Sequence, residues 1–439
     1  MLDVLANRTY RHLFLAQVIA LVGTGLATVA LGLLAYDLAG AEAGAVLGTA
    51  LAIKMVAYVG VAPIAAAFAD RVPRRAMLVA LDLIRASVAI ALPFVDQVWQ
   101  VYVLIFVLQS ASAAFTPTFQ ATIPDVLPEE RDYTRALSLS RLAYDLENIV
   151  SPMLAAALLT LISFHVLFAG TVVGFLASAA LVVSVTLPSP QPQEKRGIYD
   201  RTTRGARIYL ATPRLRGLLA LTLAVAAASA MVIVNTVVIV QSVFGLGQSQ
   251  VAIALGAYGA GSMIAALALP KMLDTAPDRP VMLGGATVLA IGLVAGAAVG
   301  SFPALLALWF VLGVGTSVTS TPGGRLLKRS SHPEDRPAVF AAQFALSHAC
   351  WLLTYPVAGW VGAKIGISAT FLTLAALAAV AIAAALALWP KGDDAEIEHA
   401  HPELAPDHPH LQAFGGAPSH AHSIVIDRLH PHWPDPARS

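Results

Sequence analysis

The sequence predicts an all-α membrane protein: twelve transmembrane helices in two six-helix bundles. Three observations carry that expectation. The first is composition. Of 439 residues, 57% are hydrophobic and only 12% charged, with a mean hydropathy of +0.73, whereas soluble domains carry about 25% charged residues. So little charge cannot wet the exterior of a soluble chain of this size, which excludes a cytosolic globular enzyme, a disordered chain and a small secreted scaffold. The second is a series of twelve mostly apolar runs, each near the roughly 20 residues that a helix needs to cross the hydrocarbon core. The third is charge placement. With the N-terminus inside, twenty Lys and Arg fall in segments on the cytoplasmic side before the C-terminal tail, and Lys364 alone falls outside. A miscounted span would invert every later loop, so this asymmetry fixes a multi-pass protein of the inner (cell) membrane with both termini cytoplasmic.

The spans follow in order. Leu13–Leu38, preceded by Arg8 and Arg11, is too long for the apolar core of a signal peptide and reads as the first span. Ala43–Phe68, Ala76–Phe94, Val98–Ile123, Ala136–Ile162 and Val166–Leu187 complete residues 1–187 as an N-terminal bundle. Their Ala- and Gly-rich texture suits close helix packing in lipid, and none alternates as a β-barrel strand would. The longest connection, 188–217, opens with Pro188, Pro190 and Pro192 and turns basic and amphipathic around Ile198–Leu215, a cytoplasmic linker. Leu218–Phe244, Val251–Leu269, Val281–Gly300, Pro303–Pro322, Ala338–Val361 and Ile367–Trp389 form a C-terminal bundle within 218–389. Two six-helix halves joined by one long loop is the layout of alternating-access carriers, whose substrate binds near the midplane.

After Trp389 hydrophobicity collapses, and residues 390–439 read as a disordered tail that cannot bury enough apolar surface to order itself. It holds eight of the chain's twelve histidines in four His-x-His pairs: His399/His401, His408/His410, His420/His422 and His430/His432. In extended backbone, residues i and i+2 face the same way, so each pair offers two imidazoles to one ion. Spacing by acids and prolines sets these pairs apart from a consecutive histidine tag. Imidazole suits Ni, Co, Zn, Cu and Fe, and a tail without thiolates argues against Cu(I). The sole cysteine, Cys350, rules out an intrachain disulfide and CxxC zinc sites.

Ionisable residues within spans are costly and mark function by default. Asp145 and Glu147 lie in span 5, His348 and Cys350 in span 11, and Asn235 with Met231 one turn before it in span 7. Carboxylates from one half facing His and Cys from the other would give a mixed ligand set for a borderline divalent cation. Each has a rival role. Asp145 lies four residues after Arg141 and can pair with it, and His348 can serve packing alone. Cys350 can be inert core. Glu147 points about 160° round the helix from Asp145, so both cannot face one ion. Asp82 with Arg85 reads as a structural ion pair, Lys54 as a counter-ion for a span carboxylate, and Asp37 as an exit-side group or a solvated end.

The turn Ala66-Ala67-Phe68-Ala69-Asp70-Arg71-Val72-Pro73-Arg74-Arg75 resembles the loop 2–3 motif of the major facilitator superfamily, G-x-x-x-D-R-x-G-R-R/K, with Ala66 and Pro73 in place of two glycines. That resemblance implies the superfamily's twelve-helix fold, a central cavity between the halves, and a gating latch at Asp70, Arg71 and Arg74. Ala111-Ser112-Ala113-Ala114-Phe115-Thr116-Pro117 and Asp82-Leu83-Ile84-Arg85-Ala86 resemble the drug/proton antiporter branch that contains macrolide and siderophore exporters. Thr321-Pro322-Gly323-Gly324-Arg325 and Gln343–Trp351 resemble its nickel/cobalt-resistance members. The resemblance implies export of a divalent metal by proton antiport, in a monomer that needs no cofactor besides the metal it carries or binds.

Drug or siderophore efflux with an incidental tail, and a membrane metal sensor without flux, are the alternatives. No Walker A, HExxH, GxSxG or dinucleotide fingerprint is present, so enzymatic catalysis and ATP-driven transport are disfavoured. The net charge of +1 gives no sign of nucleic-acid binding.

Overall fold

The computed structural model describes residues 2–39, 43–67, 72–188 and 198–391. Within the tail it describes 396–401, 404–405, 407–415, 417, 419–422, 424–427, 429–430 and 432–433. Long helices dominate because lipid offers backbone groups no partner, so each span must satisfy its own hydrogen bonds. The first half runs α1 (Arg8–Ala39), α2 (Ala43–Ala66), α3 (Arg74–Ala91), α4 (Val98–Val126), α5 (Glu130–Leu159) and α6 (Phe164–Val183). The linker carries α7 (Ile198–Ala211), on the stretch whose sequence is amphipathic. The second half runs α8 (Pro213–Val237), which continues through a π-helical turn at Val238–Val243, then α9 (Gln248–Leu273), α10 (Asp278–Gly296) and α11 (Phe302–Ser320). After Pro322 come α12 (Gly323–Arg329), α13 (Arg336–Lys364) and α14 (Ile367–Leu388).

Among the described residues, ten helices are long and apolar enough to cross a membrane. The 24-residue α2 and the 30-residue α5, the latter diluted by Arg141, Asp145 and Glu147, make up the twelve expected. Several helices start earlier than the apolar runs: α5 begins at Glu130 and α8 at Pro213. Backbone hydrogen bonding carries a helix beyond the apolar stretch into the polar face of the bilayer, which hydropathy does not register.

Small residues set the packing. Residues Gly261 of α9 and Gly313 of α11 face each other's backbones: a Cβ at Gly261 would stand 2.0 Å from the Phe310 carbonyl oxygen, and one at Gly313 2.0 Å from that of Tyr258. The α1–α6 crossing is similar, with Thr171 Oγ1 donating to the Gly23 carbonyl at 2.7 Å. Buried apolar residues of the second half form one large cluster, and those of the first half form two. Between the halves lies a small one of Ala62, Ala113, Ala341 and Phe344. The halves meet where α2 and α4 pack on α13 and where α5 packs on α9 and α12.

The tail departs from the expectation of disorder. Strand β1 (Ile397–Ala400) pairs antiparallel with β2 (Ser419–His422), and a short helix, α15 (Pro409–Ala413), lies between them. Ile424 and Ile426 are buried, and Ile426 belongs to the core cluster of the second half. Composition averages over the segment and misses a few apolar residues that dock on a surface already built.

Gly313→Val inserts side-chain atoms where a carbonyl already stands, and overpacking of this kind costs about 1–3 kcal/mol. The purified variant is expected to melt at least a few degrees below the parent in detergent, and an unchanged melting temperature would refute the close α9–α11 crossing.

Candidate functional site

The polar groups deepest in the bundle gather where α2, α5 and α13 approach. The His348 ring stands edge-on to Tyr58, centroids 4.6 Å apart at 87°, and lies 4.2 Å from the Phe344 ring. Its Nδ1 is 2.7 Å from the Phe344 carbonyl oxygen. A carbonyl only accepts, so Nδ1 carries the hydrogen and the neutral ring offers Nε2 as its lone pair. Lys54 Nζ sits 5.4 Å from the centre of the Tyr58 ring, and its charge acts on both Glu147 and His348. Glu147 is brought there because Gly25 lets α1 and α5 approach: a Cβ at Gly25 would collide with Ser151 and come within 3.6 Å of Glu147 Cγ.

Asp145 faces elsewhere. It is buried, pairs with Arg141 at 3.2 Å and meets Ser262 of α9, to which Arg141 Nε also donates at 2.9 Å. This is a clasp between halves, the rival role that its spacing from Arg141 allows. Of the two span-5 carboxylates, Glu147 is the one that, like His348, feels the charge of Lys54. Asn235 donates to the Ala358 carbonyl of α13 at 3.1 Å and to Met231 Sδ at 3.6 Å. Both residues lie in the packing between α8 and α13, away from Glu147. Cys350 is buried, two residues and so about 160° round α13 from His348. Asp82 pairs with Arg85 and accepts from Ser178 at 2.8 Å, while Arg85 stacks 4.0 Å from Phe115, so this is the structural pair its spacing implies.

At the end of the bundle where the basic loops lie, carboxylates tie the halves together. Asp125, at the end of α4, accepts from Arg74 of α3 and from Arg336 of α13. Glu130, at the start of α5, pairs with Arg325 at 2.5 Å and with Arg329, both on α12. Arg329 also reaches Asp278 of α10 at 3.0 Å. Arg204 of the linker helix holds Asp335 through two bonds of 2.5 and 2.6 Å. Arg74 thus takes part in a cross-half latch; Asp70 and Arg71 lie outside the described residues. Asp125 and Glu130 are functional residues that the count of basic loops does not single out. The signal was available: these acids sit at helix ends on the basic side, where positive charge exceeds what anchoring needs.

In the tail, histidines from separate pairs converge. His401, His410 and His430 form one set and His410, His420 and His422 another, with ligand atoms in each within 4.8 Å of one another. His401 Nε2 is 3.1 Å from His430 Nε2, and His410 Nε2 is 3.0 Å from His420 Nε2. Among the described side chains, His420 and His422 act as an i, i+2 pair on one face of a strand, rings 5.3 Å apart. The pairs His408/His410 and His430/His432 are divided. His408 caps α15, its Nδ1 accepting from the His410 N–H at 3.2 Å, and His432 is exposed; the side chain of His399 lies outside the described residues. Asp427 orients His430 at 3.0 Å and accepts two backbone N–H bonds, from Leu429 at 2.8 Å and His430 at 2.7 Å. Such a carboxylate behind a ligand histidine is the usual support of a metal site. Burial pushes the Asp427 carboxyl up, but hydrogen bonds from His332 and His430 outweigh it and hold the group well below the usual range.

A model of the Major Facilitator Superfamily matches residues 13–275 and 218–420. Macrolide efflux protein A of Streptococcus pyogenes is 28% identical over 152 residues, covering 32% of this chain and 37% of that protein. The uncharacterized MFS-type transporter YfiS of Bacillus subtilis is 27% identical over 160 residues, 35% of this chain and 38% of the relative. The chain thus spans less than half the length of these curated relatives. Among solved structures, the human organic anion transporter MFSD10 (TETRAN) superposes with a TM-score of 0.76 over 86% of this chain and 99% of that one, at 14% identity. A bacterial homologue of the iron transporter ferroportin in an outward-facing state gives 0.70 over 87% and 98%, also at 14%. At that identity the likeness is one of fold.

Two outcomes follow from the geometry. Asp125→Asn removes the shared partner of Arg74 and Arg336 and should part the halves at the basic end. A cysteine at Ala341, in a Cys350→Ala background, should then react faster with an impermeant maleimide, and an unchanged rate would refute the latch. The second concerns acid. Removal from water, then repulsion by His401, His420, His430 and His422, holds His410 down at about 4, against about 6.5 when free. Between these values the unfolded tail binds the extra proton, so tail stability falls as pH drops through that window. Amide exchange across residues 407–422, corrected for the intrinsic pH effect, should accelerate from pH 6.5 to 4.5, and constant protection would contradict the packing of His410.

Proposed function

The chain belongs to the Major Facilitator Superfamily, and we propose that it is a secondary active exporter of a divalent transition-metal cation, with Ni²⁺ or Co²⁺ first and Zn²⁺ or Fe²⁺ next, driven by proton antiport with alternating access. The observation that carries this reading is the convergence of five imidazoles, His401, His410, His420, His422 and His430, on the tail. An all-nitrogen set of this kind prefers borderline divalent ions over Mg²⁺ or Ca²⁺. With the basic end taken as cytoplasmic, the ion-pair belt closes the pathway toward the cytoplasm, a state from which an exporter releases its ion outward.

Within the membrane, Glu147 and His348 are the proposed pathway ligands. Lys54 supplies the positive charge that a lipid-buried carboxylate needs when no cation is bound. An entering dication takes over that role, and a proton arriving from outside evicts it, because a protonated ligand does not coordinate. Binding of either species to the same pair couples the two fluxes as the halves rock. Asp145, Asn235, Met231 and Cys350 support the helices around this pair and are not its ligands in this state.

A second reading, efflux of a bulky organic molecule, is favoured by the likeness to macrolide efflux protein A. It calls for a broad aromatic-lined cavity, and aromatic residues make up only 7% of the chain. In proteoliposomes, an imposed pH gradient is expected to drive Ni²⁺ or Co²⁺ across the bilayer. Glu147→Gln and His348→Ala should each slow that flux at least tenfold, about 1.4 kcal/mol of coupling, with melting temperatures checked to exclude misfolding. Flux of a macrolide with no metal flux under any gradient would replace this reading with the second.

A further inference from the structure

The tail touches the body of the protein at the loop that holds the latch. Asp427, which orients His430 from Oδ1, reaches His332 Nε2 at 3.4 Å through Oδ2. His332 lies in the 330–335 connection between α12 and α13. Arg214, buried in the first turn of α8, donates from Nε to Ser330 Oγ at 2.9 Å and from Nη2 to the tail carbonyl of Ile424 at 2.9 Å. Its guanidinium also stacks 5.1 Å from the centre of the Trp433 ring. The same connection is bounded by the residues that bind the halves. Arg325 and Arg329 precede it and pair with Glu130; Asp335, its last residue, and Arg336, the first of α13, pair with Arg204 and Asp125. His401, His410, His420 and His430 gather in one cluster, and through His430 that cluster is one carboxylate away from the latch loop.

We propose that a divalent cation held by the tail histidines, with His410 as the residue common to both sets, is sensed by the 330–335 loop through Asp427 and Arg214 and favours the state closed at the basic end. This rests on the metal-binding reading of the tail given above and adds regulation to it. The ligand geometry is nearly ready. Tetrahedral coordination at about 2.0–2.1 Å requires nitrogens about 3.4 Å apart, and the 3.0 and 3.1 Å separations need to widen by only a few tenths of an ångström. The ion fixes His430, His430 fixes Asp427, and Asp427 fixes His332, so docking of the tail and order of the loop are strengthened together. A ligand that binds best to the tail as it sits on the closed latch shifts the population toward that closed state. Linkage then makes the effect reciprocal: opening the latch weakens the hold on the ion at the cytoplasmic mouth of the pathway. The tail in this arrangement is a metal-responsive gate element rather than a passive reservoir.

Amide hydrogen exchange on the full-length purified protein tests this, with Ni²⁺ or Zn²⁺ alone as the probe. In the parent, metal should slow exchange at least about fivefold in both the tail (396–433) and the latch segment (324–337), as expected when a local opening equilibrium is disfavoured. His410→Ala, which removes the shared ligand, should abolish both responses. His332→Ala leaves the histidine cluster intact, so the tail response should persist while the latch response shrinks. Metal protection of the tail with none at 324–337 in the parent would overturn the gating proposal and leave metal binding standing. A parent in which neither segment responds would overturn the gate and the metal-binding basis of the exporter reading together.

Discussion

Pairing of carboxylates with guanidinium groups at the basic end of the bundle is the interaction on which the rest of the architecture depends. Asp125, Glu130 and Asp278 are each held by arginines, and two of the three bridge from one half to the other. Arg74 and Arg325 are almost fully buried, so their charges need these partners. Removing one side of such a buried pair leaves an uncompensated charge, at a cost of about 3–5 kcal/mol. That is large enough to hold two bundles in one relative position, yet each pair can be exchanged for water when the end opens. Small-residue crossings such as Gly261–Gly313 make each half stiff, so motion is confined to the seam between them.

At mid-depth the bundle separates two kinds of polar residue. Asp145 and Asp82 each hold an arginine of their own helix, Arg141 and Arg85, and each pair is tied to a neighbouring helix by a serine, Ser262 and Ser178, so their part is mechanical. Glu147, Lys54 and His348 come from three helices in two halves, and the charge of Lys54 bears on both of the others. His348, packed on Tyr58 from the other half, has its surroundings changed when the seam opens. Asp145 already holds a guanidinium on its own helix, which is the physical reason the proposed ion chemistry is placed at Glu147 and His348 instead.

The tail extends the same logic outward. A histidine-rich segment with few apolar residues has little to fold around, yet Ile424, Ile426 and Trp433 reach the surface of the second half, and the hairpin closes the histidines over it. Asp427 then stands between the imidazole cluster and His332, whose imidazole gains proton affinity from that carboxylate. The imidazole cluster and the loop before α13 thus meet at one side chain.

Much of this was legible in the chain itself. Charge scarcity, twelve apolar runs and the alternation of basic loops determine the helices, because the bilayer admits few other solutions. The His-x-His spacing marks the tail as rich in imidazoles, and the motif around Arg74 marks the turn from which Arg74 reaches Asp125. Spacing could also say that Asp145 and Glu147 cannot face one ion, because helix rotation is fixed by residue number. Which of them the fold pairs with Arg141 and Ser262 was beyond it, since that depends on where α9 stands relative to α5. In the same way the sequence paired His408 with His410, whereas the fold divides them at the start of α15 and gives His410 to His401, His420 and His430 instead. Local periodicity is a property of one segment, while a ligand set assembled from several segments exists only once their packing has fixed the distances between them.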